Sequence, residues 1–123
     1  HAYIMHLIQN SVYLYFFGIR VELLYGKIQM LLLYFFATAG SSILSAYCND
    51  VLAVGASGAI FGLIGAVLVY SYKNGKKSVG MNYTTLLLLA IVALLGGVLE
   101  KNVDYFGHLG GFLSGSLLSF MIL

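Results

Sequence analysis

The chain has 123 residues, of which 61% are hydrophobic and only 8% are charged. A soluble domain carries about a quarter charged residues because it must present a polar surface to water, so this composition excludes a soluble globular protein and indicates a lipid environment. The net charge of +2 is too small to indicate nucleic-acid binding, and the single cysteine excludes an internal disulfide.

Apolar runs long enough to cross a bilayer, about 17–25 residues each, predict five helices. In chain order they cover about 1–19, 28–47, 56–72, 82–99 and 105–123. Fifteen glycines without a proline favour close packing between membrane helices. The predicted fold class is therefore all-α, a polytopic transmembrane helix bundle in a single domain.

The basic residues orient this bundle. Five of the six lie in the connections between the first and second and between the third and fourth helices: Arg20, Lys27, Lys73, Lys76 and Lys77. By the positive-inside rule these connections face the cytoplasm. The first, third and fifth helices then run inward from the outer face, and the polar residues near their starts share a similar depth.

The third helix opens on Gly55-Ala56-Ser57-Gly58. Read structurally, Ser57 is a helix N-cap or a small packing residue. Read functionally, it is a nucleophile, because a helix N-terminus offers free N–H groups and partial positive charge to an oxyanion. The flanking glycines allow close approach of backbone and substrate.

The fifth helix carries the candidate base, His108, in Gly107-His108-Leu109-Gly110-Gly111. At about 100° per residue, Gly111 lies about 60° and Gly115 about 20° from His108 around the helix. The third helix has its own glycine strip: Gly58, Gly62 and Gly65. Two such faces predict backbone-to-backbone packing that brings Ser57 within reach of His108. The alternative is a buried histidine that bridges helices structurally.

His6 and Asn10 are four residues apart and share one face of the first helix. Both can donate hydrogen bonds to an oxyanion, or they can act as polar contacts between helices. A zinc site from His1, His6 and His108 is not expected, since His1 lies about 140° around the helix from His6 and no acidic or cysteine ligand joins them.

Taken together, these residues resemble the core of a rhomboid intramembrane serine protease. The matching motifs are His6-x-x-x-Asn10, Gly18-x-x-x-Glu22-x-x-x-Gly26, Gly55-Ala56-Ser57-Gly58 and Gly107-His108-x-x-Gly111-x-x-x-Gly115. The resemblance implies a Ser57–His108 catalytic dyad without a third carboxylate or a cofactor. It also implies an oxyanion hole formed by His6, Asn10 and the Ser57 amide. Phe61 stands where the family places an aromatic residue against the histidine, often a tyrosine, so that hydroxyl is absent here.

The expected function is that of an intramembrane serine endopeptidase that cleaves transmembrane protein substrates. We expect a multi-pass protein of the cell membrane with its active site toward the outer face and no metal or nucleic-acid partner. Five helices rather than six or seven predict that residues 1–123 are an N-terminally truncated core. The main alternative is a non-catalytic scaffold that binds membrane clients. A transporter fragment would require a charged group deep in the bilayer on another helix, and the sequence offers none.

Overall fold

A computed structural model of the chain describes residues 2–48, 57–74, 83–99 and 105–122. These residues form five α-helices and no strand, which confirms the predicted all-α helix bundle. The helices are α1 (Ala2–Tyr25), α2 (Lys27–Cys48), α3 (Ser57–Asn74), α4 (Tyr83–Leu99) and α5 (Tyr105–Ile122).

The first helix is longer than predicted. We expected it to end at residue 19, before the charged residues, but α1 continues to Tyr25. Charge does not break a helix, because arginine and glutamate are good helix formers. The Arg20 guanidinium lies 4.3 Å from the centre of the Phe16 ring on the same helix. Gly26 ends α1 instead: its φ is +91°, and its N–H donates to the Glu22 carbonyl oxygen at 2.9 Å. Glycine adopts this left-handed C-terminal conformation without the cost imposed by a Cβ.

Helix α3 is the centre of the bundle. Every residue from Gly58 to Leu68 is buried, as expected of a helix surrounded by neighbours. The apolar core packs around it, with Phe17 and Val21 from α1, Leu33 from α2 and Leu86 from α4. The start of α3, where Ser57 lies, is therefore placed by its neighbouring helices.

The close contacts between glycines define the helix directions. Gly58 of α3 lies against Gly111 of α5, and Gly62 lies against Gly115 one turn further along both helices. Helices α3 and α5 are therefore parallel. Helix α2 runs opposite to α3, since Ala37 lies against Gly62 and Ser41 against Gly58. The N-terminal ends of α3 and α5 consequently lie at the same end of the bundle.

One hydrogen bond joins the end of α1 to the middle of α3, and another joins α3 to α5 at the opposite end of the bundle. The Tyr25 hydroxyl donates to the Ala66 carbonyl oxygen at 2.8 Å, and the Lys73 ammonium donates to the Phe120 carbonyl oxygen at 3.0 Å. The Lys73 ammonium also lies 4.0 Å from the centre of the Phe120 ring. A cation is favourable beside the C-terminal carbonyls of a helix, so Lys73 stabilises the end of α5 against α3.

Much of the outer surface is apolar. Large exposed side chains include Leu23, Ile28, Phe35, Ile43 and Phe120, more than a monomer in water normally shows. Judged by length and apolar character, one helix within the described ranges qualifies as a membrane span, Lys27–Tyr47. Thr84–Ala93 and Phe106–Ile122 are shorter apolar helices.

Candidate active site

His108 is the fourth residue of α5, and its side chain is buried, with 7% exposed. Its imidazole stacks on the Phe61 ring of α3, with ring centroids 4.6 Å apart and planes inclined by 28°. Phe61 is buried to the same degree. This aromatic contact restricts the orientation of the imidazole, as a group that transfers protons requires.

Glycines allow the backbones of α3 and α5 to touch beside this histidine. A Cβ added to Gly111 would overlap the carbonyl group of Gly58, and one added to Gly115 would overlap the backbone of Gly62. The structure thus confirms the predicted packing of the two glycine faces. Glycine is needed at these positions because the obstructing atoms belong to the opposing backbone.

Ser57 begins α3, directly before Gly58. Gly58 also lies beside Gly107 of α5, since a Cβ at Gly58 would lie 3.4 Å from the Gly107 carbonyl oxygen. The residue after Ser57 and the residue before His108 therefore adjoin each other. The Ser57 side chain and the whole of Gly55 lie outside the described residues.

The first helix contributes the remaining predicted site residues. Asn10 is half-buried, less than two turns before the buried residue Phe17. His6 lies in α1 one turn earlier, and its side chain falls outside the described part of the chain. The roles predicted for His6 and Asn10 therefore stay predictions.

Helix α2 also adjoins the site, which our sequence analysis missed. Gly40 lies against Gly110 and Ser114 of α5, while Ser41 lies against Gly58 of α3. A signal was present, because Ala37, Gly40 and Ser41 are small residues at a spacing that places them on one helix face. They drew no attention because the segment from residue 28 to 47 holds no histidine or acidic residue that could activate the Ser41 hydroxyl.

The arrangement suits proton transfer at a helix N-terminus. A buried, oriented imidazole lies at the end of the bundle where α3 presents its free N–H groups, and such groups stabilise a developing negative charge. Within the described residues, no group of three or more histidine, cysteine, aspartate or glutamate side chains is assembled as a metal site.

Comparison with known proteins identifies the same family as the motifs. The Rhomboid domain family matches residues 1–123. RHOMBOID-like protein 4 of Arabidopsis thaliana is 42% identical over 125 residues, covering 100% of this chain and 32% of the relative. Rhomboid protease GluP of Bacillus subtilis is 36% identical over 115 residues, covering 94% of this chain and 23% of the relative. Putative rhomboid protease YdcA of the same bacterium is 35% identical over 129 residues, covering 98% of this chain and 62% of the relative.

These relatives are longer proteins, and the chain spans about a third of the length of the plant relative. No solved structure matches the chain significantly.

Proposed function

The chain belongs to the rhomboid family of helical membrane proteins, and on that basis we propose that it is the catalytic core of an intramembrane serine endopeptidase. One bacterial relative is named a rhomboid protease and another a putative rhomboid protease, whereas the plant relatives are named only rhomboid-like. The proposal therefore depends on the site residues of this chain more than on the names of its relatives.

The observation that carries the proposal is the position of His108. Its imidazole is buried and stacked on Phe61, and its helix touches α3 at Gly58, directly after Ser57. In the proposed reaction the His108 imidazole accepts the proton of the Ser57 hydroxyl as the serine attacks a peptide carbonyl. The protonated imidazole then donates to the leaving amine, and water hydrolyses the acyl-enzyme.

The oxyanion of the tetrahedral intermediate needs donors that are already in place. We assign this role to the backbone N–H of Ser57, which lies at the N-terminus of α3, and to the side chains of His6 and Asn10. The half-burial of Asn10 supports its part in this assignment, because a polar amide at membrane depth needs partners within the protein.

The proposed substrates are transmembrane segments of other membrane proteins. The distribution of basic residues supports an orientation with the N-terminal ends of α3 and α5 toward the outer face. In this orientation water reaches the acyl-enzyme from the outer side of the membrane. We propose that this membrane is the cell membrane.

Labelling with a fluorophosphonate probe tests the proposal. Such a probe reacts with an activated serine, so the full-length protein should be labelled at Ser57. Ser57→Ala should abolish the label, and His108→Ala should slow it by a factor of about 10³ or more, as loss of a catalytic base does. A folded wild-type protein that takes up no label would favour the alternative, a non-catalytic scaffold for membrane clients.

A further inference from the structure

Serine side chains lie on glycines at all three contacts among α2, α3 and α5. In each pair a Cβ added to the glycine would overlap the serine hydroxyl group. The pairs are Ser41 on Gly58 between α2 and α3, Ser114 on Gly40 between α2 and α5, and Ser116 on Gly65 between α3 and α5. Each serine therefore fills the space that its glycine leaves, and the separation of the helices depends on the size of the serine.

The pair of Ser41 and Gly58 lies beside the candidate nucleophile. Gly58 is in contact with the Ser41 side chain on its α2 side and with Gly111 on its α5 side. It is held between two helices with no side chain of its own to adjust. Because Gly58 directly follows Ser57, any displacement of Gly58 also moves Ser57.

We propose that Ser41 is a positioning residue that sets the distance between Ser57 and His108; this inference rests on the proposed function. Ser41 does not touch the reacting atoms, and it acts through the start of α3. A larger residue at position 41 would push Gly58, whose contact with Gly111 is backbone on backbone, and the start of α3 would shift relative to α5. Proton transfer requires a heavy-atom distance of about 2.6–3.2 Å, and a displacement of about 1 Å lowers a catalytic rate by about 10².

The first test compares three variants of the full-length protein: Ser41→Ala, Ser41→Val and the control Ala39→Val. Ala39 lies on the exposed face of α2, so the same valine there adds bulk away from α3. We measure the rate of fluorophosphonate labelling as a function of pH, at a temperature where each variant is folded. Ser41→Ala and Ala39→Val should label within about twofold of wild type, because neither adds bulk against Gly58.

Ser41→Val should label about 10² times more slowly and should lose the pH dependence that a histidine base gives to the wild-type rate. A purely structural role would lower the melting temperature and leave the pH profile unchanged. If Ser41→Val labels with the wild-type rate and pH profile, the inference is overturned. A wild-type protein that does not label at all overturns the proposed function itself.

A second pair of variants tests the inference even if Ser41→Val does not fold. Gly58→Ala places a methyl group against Ser41, and its next neighbour, the Gly107 carbonyl oxygen at 3.4 Å, is at ordinary contact distance. Adding Ser41→Gly to Gly58→Ala removes the obstructing side chain. We expect the double variant to label at least about ten times faster than Gly58→Ala alone, since the paired change restores the volume of the contact. Equal rates for the single and double variants would overturn the inference.

Discussion

The imidazole of His108 stacks on the ring of Phe61, with centroids 4.6 Å apart and planes inclined by 28°. The two residues come from α5 and α3, the helices that carry the proposed base and nucleophile. The stack therefore links the orientation of the base to the helix that begins with Ser57.

Replacement of Phe61 by leucine should show whether the ring stack orients the His108 imidazole or only stabilises the fold. Leucine keeps most of the buried apolar volume and removes the ring stack, which is worth about 0.5–1.5 kcal/mol. We expect kcat to fall about tenfold because the imidazole loses a fixed orientation, with KM little changed. Phe17→Leu is the matched control, since Phe17 is also a buried aromatic and its ring partners are Phe16 and Tyr13 of α1. Equal kcat losses in the two variants would show that the stack has no specific role.

The glycine contact between α3 and α5 should not tolerate even one added methyl group at Gly111. A Cβ there overlaps the backbone of Gly58, so Gly111→Ala should destabilise the fold by about 1–3 kcal/mol, the usual cost of overpacking. Gly111→Val should abolish cleavage. Leu117→Val, on the exposed side of α5, should change neither melting temperature nor turnover much. Full activity in Gly111→Val would contradict the close contact of α3 and α5.

Gly18 within α1 and Gly26 directly after its end should respond to alanine in opposite directions. Gly26 has a φ of +91°, a conformation that costs a residue with a Cβ about 1–2 kcal/mol, so Gly26→Ala should lower the melting temperature. At Gly18 the nearest atom to an added Cβ is Leu14 Cδ1 at 3.7 Å. Gly18→Ala fits without a clash and should raise stability by about 0.5–1 kcal/mol, since glycine is a poor helix former. Thermal melting of both variants tests these opposite changes in stability. A lower melting temperature for Gly18→Ala would mean that no space for a methyl group exists at this position.

Most of the helix arrangement was accessible from the sequence. Apolar runs located the five helices, and angular spacing correctly paired Gly111 and Gly115 with the glycines of α3. The end of α1 was predicted wrongly because we took Arg20 and Glu22 as the boundary. Charged residues mark the edge of the membrane, whereas a helix ends where the backbone conformation changes, at Gly26.

The contribution of α2 was harder to predict. Helical spacing shows that Ala37, Gly40 and Ser41 share a face, but it cannot show which of four other helices that face meets. The relation of Ser57 to His6 and Asn10 had the same limit, because it depends on the tilt of α1 against α3. The contacts and distances between helices are set by tertiary packing, and the periodicity of residues within one helix does not predict them.

Asn10 can be assigned to the active site or to the scaffold by one pair of measurements. If its amide stabilises the oxyanion, Asn10→Ala should lower turnover by about 10²–10³ with little change in melting temperature. If it is a structural contact, the variant should instead lose about 0.6–2 kcal/mol of stability. Turnover and melting measured on the same detergent-solubilised sample distinguish the two results. Unchanged turnover with a lowered melting temperature would remove Asn10 from the oxyanion hole.

We propose that this protein cleaves peptide bonds with Ser57 as nucleophile and His108 as base. The most direct measurement is the cleavage of a co-expressed transmembrane reporter by the full-length protein, with Ser57→Ala and His108→Ala expressed to equal levels. We predict a cleaved reporter fragment with wild type and no fragment with either variant. Cleavage that persists in Ser57→Ala would contradict the claim.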